Sequence, residues 1–345
     1  MTVPINPPPG ELASRTDGNG NGDLAATKPT TPDFFILGHQ KCGTTALYLM
    51  LSAHPQIFMP DVKEPWFFAR ELRPRSQHSG TRSRPDTLEV YLSLFADAAP
   101  GQLVGEASPQ YIRSQTAPAQ IAQLCPDARI VVILREPASF LRSLHLQLVA
   151  THIESETDFG RAIELEALRR QGKHVPRRSI SPPSLLYSDH VRYAEQLRRV
   201  HDAFAPDRVK VLIYDDFRAD NEAVVREVLE FLGADPTVAV QTVETKPLEA
   251  VRSLRLHQIR RAIRHAGLNP SAGGRVARAV DALAPKRLRS DAIAAAFRRA
   301  AYTRQRPADE RLMLELRRRF KPEVVVASEY LGRDLVTLWG YDRIS

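Results

Sequence analysis

The stretch Phe34-Phe35-Ile36-Leu37-Gly38-His39-Gln40-Lys41-Cys42-Gly43-Thr44-Thr45-Ala46-Leu47 decides the reading of the whole chain. Its first four residues are continuously apolar and β-prone, which suits a strand buried on both faces. Gly38 ends the run, and the later spacing of Ala46, Leu47, Leu49 and Met50 is that of a helix. A strand, a glycine-bounded loop and a helix in this order aim free backbone amides and the positive helix end at an anion. Lys41 adds a full charge to that loop, and Thr44 and Thr45 add hydroxyls.

Outward from this segment the pattern repeats. Apolar runs recur at Leu103 to Gly105, Ile130 to Leu134 and Val209 to Tyr214, and helix-like stretches, Ala117 to Leu124 and Val191 to Phe204, precede the last two. Strands alternating with helices predict a central parallel sheet covered on both faces, a three-layer α/β/α fold with right-handed crossovers. In such sheets ligands bind at the carboxyl ends of the strands, so the residues just after each strand are the candidates for chemistry. Arg135 follows the run ending at Leu134, and Ser143 lies about two helical turns beyond it. A guanidinium makes forked, charge-assisted bonds to phosphate, so Arg135 and Ser143 form a second candidate anion site.

The loop departs from the Walker A order, in which lysine directly follows the second glycine, because Lys41 precedes Gly43 by two residues. A magnesium-dependent kinase of P-loop-like fold is therefore the weaker enzyme reading. Composition narrows the field further. The chain has 345 residues, 43% apolar and 26% charged, so it can bury a large core, and neither a disulfide miniprotein nor a wholly disordered chain fits. Its 48 Lys and Arg exceed its 40 Asp and Glu, for a net charge of +8, which favours acidic partners. The two cysteines, Cys42 and Cys125, make neither a zinc pattern nor a disulfide framework and suit a reducing compartment. The histidines lack metal-ligand spacing, so no metal site is implied. Residues 1–31, rich in Pro, Gly, Asn and Thr, read as a disordered tail. Without a signal-like or membrane-spanning run in the sequence, a soluble, cytoplasmic protein is expected.

Taken together, the motifs resemble those of the sulfotransferases that use 3′-phosphoadenosine 5′-phosphosulfate, in the form of the heparan sulfate sulfotransferases and their bacterial relatives. FILGHQKCGTTAL is similar to the family's 5′-phosphosulfate loop, which implies cofactor contacts from Gln40, Lys41, Cys42, Gly43, Thr44 and Thr45. Lys63-Glu64-Pro65-Trp66-Phe67-Phe68 resembles the Lys-Glu-Pro-x-Phe-Phe segment, whose glutamate is the catalytic base of the glycosaminoglycan branch. Gly105-Glu106-Ala107-Ser108-Pro109-Gln110-Tyr111 resembles a segment lining the substrate cleft. Arg135-Glu136-Pro137, with Ser143 eight residues after the arginine, resembles the 3′-phosphate site. The resemblance spans roughly residues 33 to 235 and continues weakly to LGRDLVTLWGY near the C-terminus.

It implies a P-loop-like fold and a sulfuryl transfer in which Lys41 neutralises charge and Glu64 removes the acceptor's proton, with Lys63, Trp66, Glu106 and Ser108 as acceptor contacts. The acceptor is then a hydroxyl or amine of a glycan, lipid or small metabolite. Trp66, Phe67 and Phe68 are expected to bury Glu64, and Pro65 to hold its backbone extended. No clear Lys-Gly-Arg cofactor-capping loop is present, Thr303-Arg304-Gln305-Arg306 being the nearest substitute. Residues 32–345 are expected to form one domain whose part from about 243 is arginine-rich and helical. Its arginines, Arg252, Arg255, Arg260, Arg261 and Arg264 and then Arg317 to Arg319, suit a solvated helix face or peripheral contact with anionic surfaces. A nucleic-acid or membrane-surface module built on them is the non-enzyme alternative, and it leaves the four motifs without a role.

Overall fold

The computed structural model describes residues 30–73, 85–177, 179–240, 250–251, 302–303 and 309–344. Residues 1–29 of the tail, Arg252 to Arg264 and Arg304 to Arg306 lie outside the described residues. Five parallel strands form the central sheet: β1 (Phe34–Gly38), β2 (Ile57–Phe58), β3 (Leu103–Ala107), β4 (Arg129–Leu134) and β5 (Val209–Ile213), in the order β2-β3-β1-β4-β5. The main helices between them are α1 (Thr44–Ser52), α2 (Leu88–Leu92), α3 (Ala117–Leu124), α4 (Pro137–Ala150), α5 (Phe159–Glu164), α6 (Glu166–Arg170) and α7 (Tyr193–Ala203). After β5 come α8 (Tyr214–Ala219) and α9 (Asn221–Leu232). A small antiparallel pair, β6 (Ala250–Val251) and β7 (Tyr302–Thr303), precedes α10 (Glu310–Leu331) and α11 (Leu335–Leu338).

Every residue of β1 is buried, as a continuous apolar run in a doubly covered sheet requires. The chain passes from β1 to the edge strand β2, returns through β3, and continues on the other side of β1 to β4 and β5. Of the covering helices, α1 packs with α9, and α3 with α7. The strand order reverses at β1, between β3 and β4, so the topological switch point lies at the carboxyl end of β1, where Gly38 leads into the Lys41 loop.

Gly38 is required there. It takes φ +139°, and a Cβ would lie 2.6 Å from the carbonyl oxygen of Ile133 on β4. Gly38→Ala should therefore cost about 2 kcal/mol or more, from backbone strain plus an overlap that only backbone movement relieves. A denaturant midpoint within error of wild type would show that the loop exit tolerates a side chain.

The four apolar runs appear as β1, β3, β4 and β5, and both predicted helices appear as α3 and α7. The edge strand β2 carries no pattern of its own, since two residues, Ile57 and Phe58, cannot show alternation. At the other end of the chain, α10 turns Leu316, Phe320, Val324 and Ala327 inward and packs on α4 and α7. Its arginine triplet is not simply a solvated face. Arg317 approaches Glu136 at 3.6 Å, and Arg319 bonds Ser188 Oγ at 2.5 Å and lies 3.5 Å from Glu166, because docking brings these carboxylates beneath the helix.

Candidate active site

The loop after β1 is shaped for an anion. Lys41 and Gly43 both have positive φ, 69° and 90°, and Gly43 occupies the N-cap of α1 without a side-chain cap. The first amides of α1 thus have neither an intrahelical acceptor nor a capping side chain. Thr44 is buried at the helix start, Thr45 is exposed, and Gln40 and Lys41 are half-buried. The Cys42 side chain turns into the core, where burial pushes its thiol up to about 12, so only its backbone is left for a ligand. His39 is fully buried between Phe140 and Tyr193, and burial lowers its ring to about 3, which keeps it neutral.

Arg135 lies beside this loop. Its Nη1 donates to the Lys41 carbonyl at 2.8 Å, and its guanidinium sits 4.6 Å from the Tyr214 ring centre. Burial, and then the charge of Arg135, lower the Lys41 pKa. Neither cation makes an ion pair with a carboxylate among the described residues. Two neighbouring, partly desolvated cations repel each other, and a bound anion relieves both. Ser143 stands half-buried on α4, with no side-chain partner among the described residues.

The turn between β4 and α4 is fixed from several sides. Tyr193 Oη donates to the Arg135 carbonyl at 2.7 Å, and Glu136 caps α4 by accepting from the amides of Ala138 and Ser139. Tyr341 Oη donates to Glu136 at 2.6 Å, tying the C-terminal segment to this turn. Trp339 Nε1 bonds Asp215, and Arg333 pairs with Asp216, so the same segment also grips α8 beside Tyr214. Tyr214, Tyr193 and Tyr341 were not among the sequence candidates. Tyr214 carried a usable signal, since it directly follows β5, whereas Tyr193 and Tyr341 reach the site only through tertiary packing.

Residues 63–68, which carry the candidate base, lie at the end of β3, the strand next to β1. The Glu64 amide donates to the Ala107 carbonyl at 3.1 Å, and the Trp66 amide to Ser108 Oγ at 3.4 Å. The Glu64 carboxylate pairs with Lys63 at 2.8 Å, and its side chain is 27% exposed. Contrary to the expected extended backbone, Glu64 takes φ 58° and Trp66 φ 59°, because the chain must turn to meet the end of β3. Each left-handed residue costs on the order of 1 kcal/mol and persists only where its surroundings hold it.

The expected aromatic burial also differs. Trp66 and Phe68 point into the core and Phe67 stacks on Tyr91, so Glu64 is covered by Lys63 in place of the aromatic run. Trp66, 6% exposed, and Glu106, 0% exposed, do not line an open cleft. β3 is buried continuously from Val104 to Ala107, so Glu106 has no open side, and the turn at Trp66 directs the indole inward. Glu106 is held by the hydroxyls of Tyr91 and Tyr111, each 3.0 Å from its Oε2, and burial raises its carboxyl from 4.5 to about 7.

A proton held by the folded protein but released by the unfolded chain stabilises the fold at low pH. Glu106 therefore contributes most below about 4.5, and its contribution fades as pH rises through 7. Replacement by Gln should remove a loss on the order of 3 kcal/mol between those limits. Denaturant unfolding of both proteins at pH 5 and 8 measures it, and parallel pH dependences would contradict the assignment.

The sulfotransferase family profile matches residues 32–237, which include the Lys41 loop, the Glu64 turn and Arg135. The chain is similar, at 31% identity over 216 residues, to the human bifunctional heparan sulfate N-deacetylase/N-sulfotransferase 3, covering 59% of this chain and 22% of that protein. It is also 31% identical over 141 residues to mouse heparan sulfate glucosamine 3-O-sulfotransferase 3A1, covering 37% of this chain and 33% of that one. The matches thus span a third or less of these relatives. A crystal structure of a sulfotransferase from Alicyclobacillus acidocaldarius shares the fold, with a TM-score of 0.61 at 24% identity over 90% of this chain and 99% of that one. With most of its described sheet and every motif of its site inside the matched segment, the chain belongs to the sulfotransferase family.

Proposed function

We propose that this protein transfers a sulfuryl group from 3′-phosphoadenosine 5′-phosphosulfate to a hydroxyl or amine of an acceptor, with Lys41 as the charge-stabilising group and Glu64 as general base. The observation that carries this reading is the pair of cations at the switch point, Lys41 and Arg135, joined by the 2.8 Å bond to the Lys41 carbonyl and lacking carboxylate partners among the described residues. The donor has phosphate at both ends, and this donor set fits it. The uncapped start of α1, with Lys41, suits the 5′ side, and Arg135 with Ser143 suits the 3′-phosphate. When bound, the donor supplies an activated sulfuryl group on a phosphate leaving group.

The chain's own residues do the rest. Lys41 places positive charge where negative charge grows on the departing oxygen, which is worth most in a site already shielded from water. Glu64 accepts the acceptor's proton, and its pairing with Lys63 fixes the direction of the carboxylate. The relatives named for heparan sulfate N- and 3-O-sulfotransfer favour a glycan amine or hydroxyl as acceptor, with lipids and small metabolites as further classes. Sulfur-labelled donor incubated with N-deacetylated and N-sulfated glycan acceptors tests the reading. Label should pass to one of them, and phosphoryl transfer from ATP to the same acceptors in its place would overturn it.

Arg135→Ala should weaken binding of the desulfated 3′,5′-bisphosphate by about 1.5 to 3 kcal/mol while changing AMP affinity little, since AMP lacks the 3′-phosphate. Calorimetric titration of both nucleotides measures the difference. An unchanged bisphosphate affinity removes Arg135 from the site.

A further inference from the structure

Behind the Glu64 turn lies a buried polar cluster that the reaction as described does not use. Glu106 Oε2 accepts the hydroxyls of Tyr91, from α2, and Tyr111, from the turn after β3. The Tyr111 oxygen in turn accepts the amides of Phe67 at 3.0 Å and Phe68 at 3.5 Å. The Tyr91 ring stacks on Phe67, with centroids 4.4 Å apart and planes 9° from parallel. A continuous path of contacts therefore runs from Glu106 through two tyrosines to the backbone that follows Glu64. The other side of the turn is pinned by β3 itself, through the Ala107 carbonyl and Ser108 Oγ.

The turn needs such holding, because Glu64 and Trp66 both occupy the left-handed region and would relax if released. A carboxyl is a costly way to hold it. Glu106 is fully buried, whereas a neutral amide would accept both tyrosine hydroxyls without a charge to desolvate.

We propose that Glu106 is a positioning residue for Glu64, fixing Tyr91 and Tyr111 so that the strained turn presents the Glu64 carboxylate at the ligand edge of the sheet. This rests on the reading of Glu64 as the base. The groups facing Glu106 are Tyr91, Tyr111, Ser108 and the Glu64 charge. Burial is the largest influence on Glu106 and raises its pKa, the three hydroxyls lower it, and Glu64 raises it again.

Four variants, Tyr111→Phe, Glu106→Ala, Glu106→Gln and Glu64→Gln, test this by turnover and donor KM, with bisphosphate affinity and thermal unfolding as checks on the fold. Tyr111→Phe removes the acceptor for the Phe67 and Phe68 amides, so its turnover should fall about tenfold or more, with donor KM and bisphosphate affinity unchanged. Glu106→Ala, which leaves both tyrosine hydroxyls without their acceptor, should lower turnover to a similar extent, and Glu106→Gln, which keeps an acceptor for them, should restore most of it. If Glu64→Gln is inactive while Tyr111→Phe and Glu106→Ala keep wild-type turnover, the positioning role is wrong and the base assignment stands. If Glu64→Gln turns over normally, the base assignment fails and the proposal falls with it.

Discussion

Lys41→Ala is expected to lower turnover by roughly two to three orders of magnitude, about 3 to 4 kcal/mol of transition-state stabilisation, while donor affinity falls only a few-fold. The asymmetry follows from the site. In the proposed binding mode Arg135, Ser143 and the start of α1 hold the donor's phosphates in the ground state, so the lysine's charge matters most when the bridging oxygen takes up charge. Lys41 is half-buried and close to a second cation, so its field is less screened than that of a surface lysine. Lys41→Arg should be impaired as well, since a delocalised guanidinium cannot replace a compact ammonium at φ 69° in this loop. Single-turnover kinetics separate chemistry from binding. A folded Ala variant with near-normal turnover would remove Lys41 from the chemistry.

Glu64→Gln should reduce turnover by about 100-fold or more, within the range ascribed to general-base catalysis. The substitution keeps size and hydrogen-bonding capacity but deletes the basic oxygen and the Lys63 ion pair, so fold and bisphosphate affinity should survive. The deficit should shrink for acceptors whose nucleophile is already deprotonated at the assay pH. Wild-type transfer to a hydroxyl acceptor by the Gln variant would place the base elsewhere.

The part of this site legible in sequence was the part written in contiguous residues. Phe34 to Thr45 gave strand, loop and helix start in one reading, and Arg135 declared itself by following a buried run. The course of the 63–68 segment was not legible. A proline after Glu64 argues for extended backbone, and only the bond from its amide to Ala107, across the sheet edge, explains the left-handed turn. Glu106 and Trp66, expected as acceptor contacts, are buried, because a motif gives the order of residues and not the face they occupy. The tyrosines at 193, 214 and 341 converge on the Arg135 turn from three distant segments, and no spacing rule relates them.

The most direct measurement of the central claim is calorimetric titration of the wild-type protein with adenosine 3′,5′-bisphosphate, AMP and ATP under one buffer condition. The proposed anion sites at the end of β1 and the end of β4 predict that the bisphosphate binds at least about tenfold more tightly than either competitor, from one added charge-assisted phosphate contact. Equal affinities, or a preference for ATP that depends on magnesium, would contradict the account.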